Sequence, residues 1–181
     1  MLTIKVPPSE FYNEETNEFV TTKGMTLCLE HSLVSISKWE SKWKKAFLGK
    51  QQKTTEEVLD YVKCMTITQN VPDSVYLGLT KKNLDEIGAY IEDDHTATSF
   101  IDPGGRSSSD TVTSELIYYW MTAYSIPFEC QRWHLNRLLT LIKICNIKND
   151  PKGNKRMSTS AVMRQNAALN KARRAKYNTK G

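Results

Sequence analysis

The chain has 181 residues, enough for one well-buried domain and too few to require two. Its formal net charge of +5 hides a segregation: Pro151 to Gly181 carries nine Lys or Arg and no acid, which leaves 16 basic against 20 acidic residues in the first 150. An acidic body wearing a basic arm is the composition of a protein that works by gripping something else, and it competes with no catalytic constellation.

No window reaches about eighteen apolar residues, and Lys5 and Pro7-Pro8 stand where the apolar stretch of a signal peptide would run. A soluble, intracellular chain with no membrane partner is the expectation. Cys28, Cys64, Cys130 and Cys145 are scattered, lack any C-x-x-C pair and sit in apolar stretches, so they read as buried free thiols rather than as a disulfide framework.

In chain order, Leu2–Val6 (LTIKV) and Glu18–Thr22 (EFVTT) are β-prone runs around a polar stretch and predict an N-terminal β ribbon over residues 1–24. Such a ribbon is marginal alone and must lean on helices or on a partner's strand. Leu29, Leu33, Ile36, Trp43 and Phe47 recur at helical spacings and predict an amphipathic helix from Leu29. Thr54 and Glu57 form a capping-box signature for a second helix with Val58, Leu59, Tyr61, Val62 and Met65, ended at the latest by Pro72. A short helical turn after Asp73 follows, then a helix from Thr80 with Leu84, Ile87 and Ile91 on one face.

Asp93 to Asp110, with Pro103-Gly104-Gly105 and Ser107-Ser108-Ser109, has no sustained period and reads as a long loop. Thr113 to Tyr124 predicts an aromatic-rich helix. Pro127 ends it and suits the first turn of the next, whose Leu138, Leu139, Leu141, Ile142, Ile144 and Cys145 are apolar nearly all round, as in a central core helix. Leu33, Ile36, Leu138 and Ile142 are expected in the core. The fold class is therefore mainly α: a single helical domain over residues 25–149 with the N-terminal ribbon and a basic, partly helical C-terminal arm over residues 150–181. Breakers in Asn149 to Arg156 and the scarcity of apolar residues beyond Ser158, chiefly Val162, Met163 and Leu169, set the arm apart.

Candidate chemistry is sparse. Cys130 and His134 are four apart, but two ligands make no zinc site, and a core cysteine beside a surface histidine is the simpler reading. His95 with Asp93, Asp94 and Asp102 matches no calcium-loop spacing. His31, His95 and His134 sit in ordinary surroundings, no G-x-S-x-G is present, and Gly104-Gly105-Arg106 lacks the G-K-[ST] of a phosphate loop. Neither Glu56-Glu57 nor Asp93-Asp94 is spaced as an acid/base pair. No catalytic residue, no metal and no cofactor are expected; the chain is not read as an enzyme.

The partner-binding candidates are Trp39, Trp43, Trp120 and Trp133, on three predicted helices, and Arg164, Lys171, Arg173, Arg174 and Lys176 in the arm. Aromatics at helical spacing are core residues more often than binding sites, yet Trp is also the material of interface anchors. The arm holds a single aromatic, Tyr177, so base stacking is poorly supplied; an acidic protein surface or a neighbouring copy of the chain is as natural a target as phosphate.

The runs LEHSLVSISKWESKWKKAFL (Leu29 to Leu48), DYVKCMTITQNVP (Asp60 to Pro72) and TSELIYYWMTAYSIPFECQRWHLNRLLTLIKICNIKN (Thr113 to Asn149), with the ending LNKARRAKYNTKG, resemble small proteins of tailed bacteriophages. They are similar to tail assembly chaperones encoded beside the tape-measure gene, over most of the chain apart from Asp93 to Asp110. The resemblance implies a non-enzymatic helper, acting in the host cell cytoplasm, that binds the long helical tape-measure protein while tail-tube subunits polymerise around it. It supplies no catalytic residues. Two other classes stay open: a structural protein of the virion neck or tail whose arm wraps neighbouring subunits, and a DNA-binding accessory protein.

Overall fold

A computed structural model describes residues 1–13, 17–98 and 111–149, together with Met163 and Ala167. The chain divides into two compact units, residues 1–142 and 143–181. Among the described residues are four strands, β1 (Leu2–Val6), β2 (Ser9–Asn13), β3 (Glu18–Thr22) and β4 (Met25–Leu29), and six helices, α1 (Leu33–Trp43), α2 (Thr55–Met65), α3 (Asp73–Leu77), α4 (Lys81–Glu92), α5 (Ser114–Ala123) and α6 (Leu135–Asn149). A 3₁₀ turn, Phe128–Arg132, precedes α6. The fold is mainly α, as the dominance of helical spacing predicts. Arm residues other than Met163 and Ala167 lie outside the described set.

The N-terminal strands pair differently from the expectation. Leu2–Val6 does not join Glu18–Thr22: β1 pairs antiparallel with β4, and β2 with β3, making two separate two-stranded sheets. β4 is not expected from the sequence, where Leu29, four residues before Leu33, opens a helical spacing and Cys28 blurs the alternation. Its alternation is real: Leu27 and Leu29 are buried opposite Ile4 and Leu2, and Ile4 and Val6 complete the inward face. The outer edge of β4 is covered by the exit from α2, through Ile67 N–H to Cys28 O at 2.8 Å and Glu30 N–H to Met65 O at 2.9 Å. At Gly24, between β3 and β4, a Cβ would stand 2.9 Å from Pro8 Cδ, so the close approach of the two sheet connections requires glycine there.

α1 buries Leu33, Ile36, Trp39 and Glu40, spacings of three and four that define one face. It stops short of Phe47 because Lys44 turns into the left-handed region at φ 54°, its N–H closing onto Glu40 O. Phe47 then returns from the loop into the core, its ring centroid 4.0 Å from that of Tyr61. α2 and α4 begin at the capping residues Thr54 and Thr80, whose hydroxyls accept from Glu57 N–H and Asn83 N–H.

The helix expected to run on from Pro127 is broken at Trp133 between the 3₁₀ turn and α6, where Leu135 N–H bonds His31 O at 2.9 Å. α6 is also less central than its composition suggests: Leu135, Leu138 and Ile142 are buried, while Leu139, Leu141, Ile144 and Cys145 are half-buried and Ile147 is exposed. Leu33, Ile36, Leu138 and Ile142 do lie in the core. Of the four free cysteines only Cys130 is buried; Cys28, Cys64 and Cys145 are half-buried.

Candidate functional site

The four tryptophans do not form one cluster. Trp39 and Trp43, one turn apart on α1, stack at 6.2 Å between ring centroids, and both are held by α2: Trp39 Nε1–H donates to Glu57 O at 2.8 Å and Trp43 Nε1–H to Asp60 Oδ2 at 2.9 Å. Lysines close the arrangement. Lys42 pairs with Asp60, Lys45 with Glu57, and the Lys53 ammonium lies 4.3 Å from the Phe47 ring centroid. The Lys45 ammonium beside Glu57 holds that carboxyl below the usual range, and the Thr54 backbone N–H adds to the effect. Trp39 is buried within the chain and so leaves the set of partner anchors; Trp43 keeps part of its ring at the surface.

Trp120 and Trp133 have no ring contact with that pair. Trp133 is half-buried with the Arg137 guanidinium 4.1 Å from its ring centroid. Trp120 is half-buried on α5, a helix apolar on most of its circumference that buries one stripe, Ile117 and Met121. The remainder faces outward: Tyr119 is 65% exposed, Leu116 and Trp120 flank it half-buried, and Phe128, 55% exposed, projects from the neighbouring 3₁₀ turn. Tyr118 links the two elements, its ring 6.4 Å from that of Phe128 and its hydroxyl donating to Gln131 Oε1 at 2.9 Å. Leu116, Tyr119 and Trp120 on the outward face of α5 are the candidate partner site, and Phe128, beside Tyr118, is a further exposed ring. Of its members the sequence singled out only Trp120. Tyr119 and Phe128 were legible as aromatics, but which face α5 buries depends on tertiary contacts. Arg164, Lys171, Arg173, Arg174 and Lys176 lie outside the described residues.

The histidines correct a second expectation. Rather than standing in ordinary surroundings, all three converge: His134 lies 5.0 Å from His31 and 4.2 Å from His95 between ring centroids, with Tyr90 5.0 Å from His134. His31 Nδ1 and the Tyr61 hydroxyl share a hydrogen bond at 2.6 Å, and the Ser35 hydroxyl, which donates to Ser32 O, lies 3.3 Å from the same tyrosine oxygen. His134 Nε2–H donates to Tyr90 O at 2.9 Å, leaving its buried Nδ1 a bare acceptor with no partner among the described residues. Burial, then the charge of His134, pushes the His31 ring down to about 4; burial, then the neighbouring His95 charge, also lowers His134, partly opposed by the bond to Tyr90 O. Both rings are thus held neutral as packing elements.

Cys130 and His134 are separated between the 3₁₀ turn and the start of α6, not aligned on one helix. Asp93 accepts from His95 at 2.6 Å, while Asp102 lies outside the described residues. Among the described residues no three His, Cys, Asp or Glu side chains are placed to hold a metal ion. A cavity of about 240 Å³ beside α1 is lined by Glu30, Lys38, Cys64 and Arg132, smaller than most small-molecule pockets. Burial pushes the Cys64 thiol up, away from the reactive thiolate. No helix of the described residues is long and apolar enough to cross a membrane. No protein-family model matches the chain, and neither does any curated protein or solved structure.

Proposed function

We propose that this protein is a non-enzymatic tail assembly chaperone of a tailed bacteriophage, which holds the tape-measure protein in solution until tail-tube subunits enclose it. The observation that carries the reading is the outward face of α5. A helix whose buried residues are Ser114, Ile117 and Met121, and which turns Tyr119 outward with Leu116 and Trp120 half-buried beside it, has an apolar seam on each side of its axis, while Phe128 stands exposed next to Tyr118. One seam holds the core. The other has the chemistry of a helix-binding surface, with rigid aromatic anchors that lose little rotamer entropy on binding and polar groups, Glu115 and Thr122, on the same outward stripe.

A chaperone of this kind gains affinity from desolvating those rings and register from its charges. Co-expression with the long helical protein tests it. The wild-type chain is expected to keep that protein soluble and to co-purify with it, whereas Tyr119→Ser with Phe128→Ser is expected to fold normally and lose both properties. Mass spectrometry of purified particles separates the rival reading: a chaperone is absent from them, and a stoichiometric subunit would be a structural virion protein.

A further inference from the structure

The cavity of about 240 Å³ beside α1 is bounded by three segments of the first compact unit. Val34, Ser35 and Lys38 stand three and four apart, so α1 turns one stripe toward it. The exit of α2, Met65 to Ile67, makes a second wall, fixed by Glu30 N–H to Met65 O at 2.9 Å and by Ile67 N–H to Cys28 O at 2.8 Å. Arg132, at the end of the 3₁₀ turn, makes the third, and the bond from Leu135 N–H to His31 O sets that turn against the start of α1.

Two cations far apart in the sequence thus reach one hollow. Among the described residues neither Lys38 nor Arg132 has an ion-pair partner, whereas Lys42, Lys45 and Lys63 on the neighbouring surface each hold a carboxylate. The Ser35 and Thr66 hydroxyls donate to Ser32 O and Val62 O, each at 2.8 Å, so the two cations are the strong donors left for a ligand. Val34, Met65 and Ile67 give the same hollow an apolar side, and Ile67 is 46% exposed.

Glu30 narrows the choice. It is the one acid among the described lining residues, set against the two cations. A single carboxylate gains from the guanidinium fork, which matches its two oxygens, and from the ammonium. A phosphate brings nearly twice the charge toward Glu30 and forfeits part of that gain, so the acid selects against dianions. The volume, small for a ligand pocket, admits little beyond the carboxyl group and a short branch.

We infer that this cavity binds a small aliphatic carboxylate, with its oxygens on Arg132 and Lys38 and its branch against Val34, Met65 and Ile67. A free acid and the C-terminal residue of a peptide share that chemistry. The site is separate from the aromatic face of α5 and does not depend on what that face binds.

NMR titration of the isotope-labelled full-length chain with N-acetyl-leucine tests this. Saturable amide shifts are expected at Val34, Lys38, Thr66 and Ile67. Isocaproate, which keeps the branch and the carboxylate but lacks the amide, separates the sources: equal affinity assigns a free acid, and tighter binding of N-acetyl-leucine assigns a peptide end. N-acetyl-leucinamide, with the branch and no carboxylate, should give no saturable shift. Lys38 and Arg132 are exposed, so Lys38→Gln and Arg132→Gln should keep the wild-type spectrum elsewhere, and each should weaken N-acetyl-leucine about tenfold, the scale of one hydrogen bond to a charged group. Inorganic phosphate should bind the wild-type chain at least about tenfold more weakly than the acid, and Glu30→Gln should narrow that gap. The absence of saturable shifts with both acids, an amide that binds as tightly as the acid, phosphate that binds as tightly as the acid, or an affinity unchanged in Arg132→Gln would each overturn the inference.

Discussion

His95 lies nearly flat on His134, ring centroids 4.2 Å apart and planes inclined by 26°, while His31 meets the same ring from the β4–α1 side at 5.0 Å. Three imidazoles at these distances pack well only when the buried two are neutral. A proton on either adds a desolvated charge beside a potential second one, and among the described residues His134 Nδ1 has no acceptor to receive it. The charged groups facing the cluster are Asp93, which favours the proton on His134, and the amino terminus, which opposes it.

Acid should therefore unfold the protein from this cluster first. In the unfolded chain a histidine titrates near 6.5; in the fold His31 titrates at about 4. Between those values the unfolded chain holds the proton and the folded chain does not, so stability is complete above about pH 6.5 and falls as the pH is lowered toward 4. At ~1.4 kcal/mol per pH unit, His31 accounts for about 3 kcal/mol of loss across that window. His134 acts in the same direction. The lowered carboxyls of Glu57, Asp73 and Asp93 give up their contribution only below about pH 4.5, which separates the two causes. Urea unfolding at several pH values checks this: His31→Asn should flatten the slope between pH 4.5 and 6.5, and an unchanged slope would assign the effect elsewhere.

Glu40 should matter more than any other carboxylate. It is buried at the end of α1, with Oε1 accepting from Phe47 N–H and Oε2 from Ser114 N–H, each at 2.7 Å. One carboxylate thus fixes the loop that returns Phe47 to the core and caps the first turn of α5 with a negative charge. Glu40→Ala leaves two buried donors unpaired and is expected to cost about 2–5 kcal/mol, with Glu40→Gln costing roughly half because its single oxygen serves one donor. Chemical denaturation midpoints measure both.

The stacked tryptophans should separate sharply. Trp39→Ala removes a fully buried ring and its bond to Glu57 O, an expected loss of about 3–5 kcal/mol. Trp43→Ala removes a half-exposed ring and its bond to Asp60, for about 1–2 kcal/mol. Equal effects would mean that Trp43 is as much a core residue as Trp39.

The helix starts at Thr54, Thr80 and Thr113 were legible because capping is local: a hydroxyl reaches a backbone N–H three residues on, and the sequence shows both ends of that contact. Strand pairing is not local. β1 finds β4 across some twenty residues, and the partner run MTLCL ends in Leu29, whose spacing to Leu33 and Ile36 also fits the start of a helix, so no strand is expected there. The histidine cluster was invisible for the same reason, since residues 31, 95 and 134 come from three separate segments and no spacing rule joins them. Composition likewise flagged tryptophan without its setting: Trp39 went to the core, whereas Tyr119 and Phe128 are the rings that α5 and the 3₁₀ turn leave at the surface.

Removal of residues 151–181 should leave the body's stability within ~1 kcal/mol, because every buried apolar residue found among the described ones lies at or before Ile142. The same truncation should leave Tyr119 and Phe128 able to bind their partner. Differential scanning calorimetry gives the first result and co-purification with the partner the second. A truncated chain that melts far below the full one would show instead that Val162, Met163 and Leu169 contribute to a core shared with the body, and the arm would have to be regarded as part of the fold.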